Sequence, residues 1–195
     1  TGGVAGVKEY RLIDICKPKQ WKTLSIKELK SSGYPVYGAN GVVGFHNEYT
    51  HERPTLLITC RGATCGELNI CQPYSYVNGN AMALDALDDD RFDIRYLYYA
   101  LKKRGLSDVI TGSAQPQITR ASLSNVIISF PDIKEQKQIA SILDISNGLI
   151  DKRKQAIAKL DELVQAVFLD MFGDPIQNQK GWPLRPFSNF AKIDT

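Results

Sequence analysis

Between Pro131 and Pro175 the chain runs forty-three residues without a proline, and that stretch carries a heptad pattern. Ile139, Leu143, Ser146, Ile150, Arg153, Ile157, Leu160, Val164, Val167 and Met171 follow one another at alternating steps of four and three. Eight of the ten are apolar; Ser146 and Arg153 are the exceptions. Such spacing predicts one long helix with a continuous apolar seam. Leu149, Leu163 and Phe168 widen the stripe. Asp132 is placed to cap the start, with Glu135 three positions later in the manner of a capping box. At 1.5 Å per residue, a helix over 133–172 is about 60 Å long. Asn147-Gly148 is its expected weak point. A helix this long outreaches a domain of this size, so its seam calls for a partner helix, within the chain or from another chain.

The remainder divides around that helix. Residues 1–131 read as a loop-rich, mostly-β part of an α+β fold. Leu56–Cys60, Glu67–Cys71, Asn80–Leu84 and Val126–Phe130 are strand candidates bounded by Gly, Pro, Asn or Asp. Phe92–Arg104 is a helix candidate, with Ile94, Leu97, Tyr98 and Leu101 on one face, Asp90 as its cap and Gly105 as its stop. Gly33, Gly38, Gly41, Gly44, Gly62, Gly66 and Gly79 mark turns and loops, and loops on a rigid scaffold are a common recognition platform. Residues 132–172 are the long helix, and 173–195 begin as a linker, Gly173-Asp174-Pro175 to Trp182-Pro183. The tail then echoes the start of the chain: Phe187 falls on Leu12, Asn189 on Asp14, Phe190 on Ile15 and Ala191 on Cys16. That echo predicts the first residues of a second copy of the unit.

Composition and motifs exclude several classes. The 195 residues carry a net charge of +3, a weak lean towards polyanions. The excess is local, with seven basic against three acidic residues between 8 and 30. No apolar run approaches the length of a membrane span, and no secretory leader is visible. Four cysteines without framework spacing predict free thiols in a reducing, cytoplasmic setting. Cys60, Cys65 and Cys71, with His46 and His51 upstream, do not match the paired spacing of zinc sites, so no metal is expected. Phosphate-loop, dinucleotide-fingerprint and nucleophile-elbow motifs are absent, so no cofactor is expected. Both histidines fall in an expected loop, which argues against a Ser-His-Asp arrangement. Asp132, Glu135 and Lys137 superficially resemble a nuclease constellation, but one helical turn holds all three, and a helix cap explains them better.

An ordered set of segments carries a family resemblance. Tyr34-Pro35-Val36-Tyr37-Gly38-Ala39-Asn40-Gly41 leads into Val43-Gly44-Phe45-His46. Leu57-Ile58-Thr59-Cys60-Arg61-Gly62-Ala63-Thr64-Cys65-Gly66 follows, then Gly112-Ser113-Ala114-Gln115-Pro116-Gln117-Ile118-Thr119. Ile128-Ser129-Phe130-Pro131 with Glu135-Gln136 opens the long helix, which closes on Met171-Phe172-Gly173-Asp174-Pro175. In this order they resemble the DNA specificity subunit of type I restriction-modification systems. The resemblance implies a non-catalytic subunit that reads double-stranded DNA and recruits methyltransferase and motor-nuclease restriction subunits. It implies two recognition domains held apart by two antiparallel spacer helices, each domain reading half of a split site. This sequence departs by holding one domain, one helix and the start of a second domain. A two-fold homodimer through 133–172 would rebuild the missing half and read a palindromic site.

On that resemblance, Tyr37, Asn40, Arg61, Gln115, Gln117 and Arg120 are candidates for base or phosphate contact. They are polar and fall in Gly- or Pro-marked loops, and Asn, Gln and Arg can pair with base edges. Lys102, Lys103 and Arg104 are phosphate candidates, although cations in a last helical turn also complement the helix dipole. Ile139, Leu143, Ile150, Ile157, Leu160, Val164, Val167 and Met171 are the helix-pairing positions. Read from the residues alone, a globular head on a coiled-coil stalk without a nucleic-acid ligand is the rival expectation. A small nuclease built on Glu135 is a second.

Overall fold

The computed structural model describes residues 6–112, 115–186 and 189. It shows two compact units, residues 1–144 and 145–195. The first unit is a strand-rich head. β1 (Lys8–Arg11) pairs antiparallel with β9 (Ile127–Phe130). A second sheet has the order β2 (Lys17–Gln20), β8 (Ala81–Asp85), β5 (Leu56–Thr59), β6 (Leu68–Ile70). A third has the order β4 (Gly41–His46), β3 (Tyr34–Gly38), β7 (Tyr76–Val77), with β3 and β7 parallel.

The two central strands, β5 and β8, are buried almost throughout, which explains their near-continuous apolar sequence. β9 alternates instead, with Ile128 and Phe130 inward and Ile127 outward. β2 is Lys-Pro-Lys-Gln and carries no apolar pattern; it lies at a sheet edge, where a proline costs no ladder bond. The core joins Leu12, Ile58, Met82, Leu97, Leu101, Leu123 and Phe130. Tyr10, Phe92 and Phe130 meet edge to face, with centroids 4.8 to 6.0 Å apart, and tie β1 to β9 and to the approach of the next helix.

The four predicted strands are present, within one or two residues of the expected ends. β3 and β4 occupy a segment expected to be loop because of its glycines. Gly38 and Gly44 sit in these strands because there is no room for more. A Cβ on Gly38 would come within 2.8 Å of Val43, and one on Gly44 within 3.3 Å of Leu29. The short helix α1 (Leu12–Ile15) left no periodic signal.

Helix α2 (Ile94–Arg104) begins two residues later than expected, and Asp93 rather than Asp90 is its cap. The Asp93 carboxylate accepts from the N–H groups of Arg95 and Tyr96 at 3.0 and 2.9 Å. Phe92 belongs to the core before the helix rather than to its first turn. Gly105, at φ +76°, ends the helix.

Helix α3 spans Ile133–Phe172 and runs through Asn147-Gly148 without interruption. Its cap is Asp132, whose carboxylate accepts from the Glu135 N–H at 3.0 Å. The first three turns are fastened to the head. Gln136, 1% exposed, donates to the carbonyls of Arg91 and Pro131 and accepts from the Asp93 N–H, all within 3.0 Å. Two turns on, Asp144 accepts from Arg95 at 2.8 Å and from the Tyr99 hydroxyl at 2.6 Å.

The second unit holds the rest of α3 and a C-terminal cap. Gly173, at φ +72°, returns its N–H to the Leu169 carbonyl at 2.8 Å. Lys180 donates to the carbonyls of Asp170 and Met171, and the Trp182 indole N–H donates to that of Phe172 at 2.8 Å. Three carbonyls that the helix leaves open are thereby satisfied. Of the tail's echo of the chain start, residues 187, 188 and 190–195 lie outside the described residues.

Candidate nucleic-acid interface

Three separate segments of the head converge on one another. The β3–β4 turn, the loop after β5 and the segment around Gln117 are joined by short bonds. Thr59 Oγ1 donates to the Ala39 carbonyl, and Thr64 Oγ1 donates to Asn40 Oδ1 at 2.7 Å. The Gly62 N–H donates to the Pro116 carbonyl at 3.2 Å, and the Ile118 N–H to the Cys60 carbonyl at 3.0 Å. Arg61 and Gln117 face each other in an isolated antiparallel bridge. Thr111 and Gln117 exchange backbone bonds at 2.8 Å. Gly112 is required at its turn: φ is +84°, and a Cβ there would lie 2.5 Å from the Gln115 carbonyl oxygen.

Asn40, Arg61, Gln115 and Gln117 are therefore exposed on neighbouring loops, although up to seventy-seven positions separate them in sequence. Arg120 is exposed three residues beyond Gln117. Tyr37 is placed differently. It was expected in a loop, but it lies in β3, 7% exposed, packed with Leu57, Val77 and Ala81. Its hydroxyl accepts from the Gln72 N–H at 3.3 Å. The tyrosine thus supports the hairpin that carries Asn40.

The basic triple at the end of α2 is divided. Lys102 lines a small depression with Gly66 and Glu67, next to the converging loops. Lys103 and Arg104 line another groove, with Ile127, Ile139 and Leu143. Arg104 is committed to Asp108 through two bonds at 3.0 and 2.8 Å. This pair holds the Asp108 carboxyl below the ordinary carboxylate range, chiefly through the hydrogen bonds.

Neither histidine lies in a free loop. His46 closes β4 and accepts from the Glu48 N–H. His51 is buried: Nε2 lies 2.9 Å from Asp85 Oδ1 and Nδ1 lies 2.7 Å from Thr50 Oγ1. Trp21 donates to the other Asp85 oxygen at 3.1 Å. The network ties the 50–53 loop to β8 and leaves each ring nitrogen with a partner. Burial pushes the Cys16 thiol up to about 12, and burial likewise raises Cys60, Cys65 and Cys71, which keeps these thiols protonated. Among the described residues no group of three or more His, Cys, Asp or Glu side chains is placed to hold a metal.

Sequence reasoning missed Thr64, which fixes Asn40 from a segment twenty-four positions away. Its only sequence signal was its place in a Gly-bounded loop. It also missed an exposed cluster in which Tyr49 packs against Tyr34 and Tyr74 at 4.9 and 5.3 Å, because the three are dispersed in the chain.

The stalk is the other exposed surface. Ile150, Ile157, Leu160, Val164, Val167 and Met171 are 47% to 68% exposed, and Leu149, Leu163, Phe168 and Leu169 are similar. A contiguous apolar stripe of this extent marks an interaction surface. No described helix is long and apolar enough to cross a membrane.

The described residues thus combine converging polar loops on a β-rich head with a long helix whose apolar side chains are exposed. The sequence profile of the type I restriction modification DNA specificity domain matches residues 5–162. The chain belongs to that family. It is 30% identical over 111 residues to the type I restriction enzyme EcoprrI specificity subunit of Escherichia coli, covering 57% of this chain and 27% of that one. It is 26% identical over 165 residues to a putative type I specificity subunit of Mycoplasma pneumoniae, covering 76% and 54%. Among solved structures, the type I restriction-modification S subunit from M. genitalium superposes with a TM-score of 0.63 at 20% identity, over 85% of this chain and 44% of that one. The chain thus spans about half, or less, of the length of these relatives.

Proposed function

We propose that the head reads one half of a bipartite double-stranded DNA target and that α3 is the spacer setting the distance to the other half. The observation that supports this best is the convergence of Asn40, Arg61, Gln115 and Gln117 on bonded, glycine-shaped loops. Side-chain amides and guanidinium groups on loops held by backbone bonds suit base edges in the major groove. Lys102 stands beside them as a phosphate contact, and Arg120, exposed three residues beyond Gln117, is a second. Lys103 takes a place away from these loops, and Arg104 is engaged by Asp108. The protein itself performs no catalysis in this reading; it recruits methyltransferase subunits and, with them, the restriction subunit.

The uncovered seam supports pairing of two copies through 133–172. Ile139 and Leu143 lie at its head end, and Ile150, Ile157, Leu160, Val164, Val167 and Met171 lie along the stalk. A two-fold dimer of identical heads reads an inverted repeat. The test is selection of bound duplexes from a random library at low salt, followed by sequencing. Two inverted half-sites at a fixed gap are expected, with affinity falling steeply as salt rises. Absence of any enriched sequence, for the protein alone and with its methyltransferase, would overturn the reading and leave a head-on-stalk interaction module.

A further inference from the structure

The turn between β7 and β8 has no role in the reading above. From Ser75 to Leu84 nine of ten residues are buried, and Asn80 alone is exposed. A polar side chain set outward from so buried a segment stands on a fixed base.

Several elements hold the turn. The Asn78 N–H donates to the Tyr37 carbonyl at 2.8 Å, which ties the turn to β3 just before Ala39 and Asn40. Asn78 Oδ1 accepts from the Gly79 N–H at 2.8 Å, and the Asn78 carbonyl accepts from the Ala81 N–H at 2.9 Å. Gln20, at the end of β2, donates through Nε2 to the Gly79 carbonyl at 3.1 Å and to Cys60 Sγ at 2.9 Å. Only glycine fits at position 79, because a Cβ there would run into Thr23 Oγ1 and lie 2.7 Å from the Trp21 carbonyl oxygen. These bonds leave the Asn80 side-chain amide without a hydrogen-bond partner among the described residues.

Cys60 fixes the order of the loops. Its N–H donates to the Asn80 carbonyl and its own carbonyl accepts from the Ile118 N–H, both at 3.0 Å. Asn80 and Ile118 therefore flank it as neighbouring strands do, each about 4.8 Å away. Arg61 follows Cys60 and is bridged to Gln117. The turn thus brings a fourth segment to the three that converge, on the side of Arg61 away from Gln117.

We infer that Asn80 is a further specificity-determining residue of the head and reads an adenine from the major groove. The inference rests on the DNA-reading function proposed above. The asparagine amide carries a donor and an acceptor side by side. Its N–H donates to adenine N7 while its oxygen accepts from the adenine N6 amino group. Guanine presents two acceptors there and cytosine a donor, so neither satisfies both groups of the amide. The bonds of the turn exist before DNA arrives, so little ordering entropy is lost in placing the amide.

The test compares the native chain with Asn80→Ala and Asn80→Asp in selection from a random duplex library, each alone and with the methyltransferase. Both variants should lose the preference for adenine at one position of each half-site and keep the other preferences. They should bind the duplex enriched by the native chain about tenfold or more weakly. Replacing that adenine with 7-deazaadenine should weaken the native chain and leave Asn80→Ala unaffected; on the native chain this tests the contact without any substitution. Thermal unfolding of both variants should match the native chain, since the side-chain amide has no partner within the head. Suppose the native chain enriches a sequence. If Asn80→Ala then enriches the same one at equal affinity, or loses affinity evenly for all duplexes, the role of Asn80 is overturned and the DNA reading stands. If 7-deazaadenine leaves native binding unchanged, the adenine contact falls in the same way. A native chain that enriches no sequence under either condition would overturn both.

Discussion

The head and the stalk treat the same residue types in opposite ways. Leu97, Leu101 and Leu123 of the head are fully buried, whereas Leu149, Leu160 and Leu163 of the stalk are more than half exposed. The head's strands and α2 close a core by themselves. The stalk has the pattern of a core without the second half of it. The boundary between compact units at Asp144 marks this change: up to that residue α3 is fastened to α2, and beyond it the apolar seam is open. One region closes a core of its own; the other leaves its apolar side chains exposed.

The contrast can be broken from either side. The largest effect is expected from a charge in the seam. Leu160→Asp should cost on the order of several kcal/mol of pairing energy, since it loses packing and strands a charge in an apolar interface. Sedimentation should then report a monomer, with thermal unfolding of the head unchanged. Leu101→Ala should do the reverse. It should destabilise the head by about 2–5 kcal/mol in denaturant unfolding, and circular dichroism of the stalk signal should change little. Gln136→Ala tests the joint. Removing its amide leaves the Asp93 N–H and two carbonyls without their partner, and the head should lose roughly 1–3 kcal/mol. Arg61→Ala should leave stability alone and weaken specific DNA binding by about 1–3 kcal/mol, with relaxed preference at one base position. An unchanged ratio of specific to non-specific binding would remove Arg61 from base reading.

The smallest effect concerns acid. Asp108 is held below its ordinary pKa by Arg104, so its contribution to stability is present above the unfolded-state value. It is lost as pH falls through the lowered folded value. Carboxyl NMR should show Asp108 titrating at lower pH than a free aspartate, and Arg104→Gln should return it to the ordinary range.

The stalk was the more legible region, because a helix writes its partner surface into the sequence with a fixed period. The ends of α3, its cap at Asp132 and its open seam could all be read from spacing. In the head, strands with apolar runs were legible, as in β5 and β9. Strands built on other rules were not. β2 is polar because it is an edge, and β3 and β4 are glycine-rich because their neighbours approach closely. The candidate interface could be proposed from residue types but not as geometry. Asn40, Arg61 and Gln117 could be singled out as candidates, but the Thr64 bond to Asn40 and the Arg61–Gln117 bridge join positions that sequence order keeps apart. Tyr37 shows the limit of reading a residue by its neighbours. Flanking proline and glycine suggested a loop, while its ring completes a strand's inner face.

The pairing of β1 with β9 has a consequence for how such a protein changes. The chain enters the head at Lys8 and leaves it at Phe130, and these two residues are register partners. Everything between them hangs from one point as a closed cassette. A foreign cassette that keeps this two-strand clasp and the contacts of Gln136 would be accepted by the same stalk. Novelty in the head can therefore arrive by exchange of a whole block, at a single junction, without redesign of the helix that carries it.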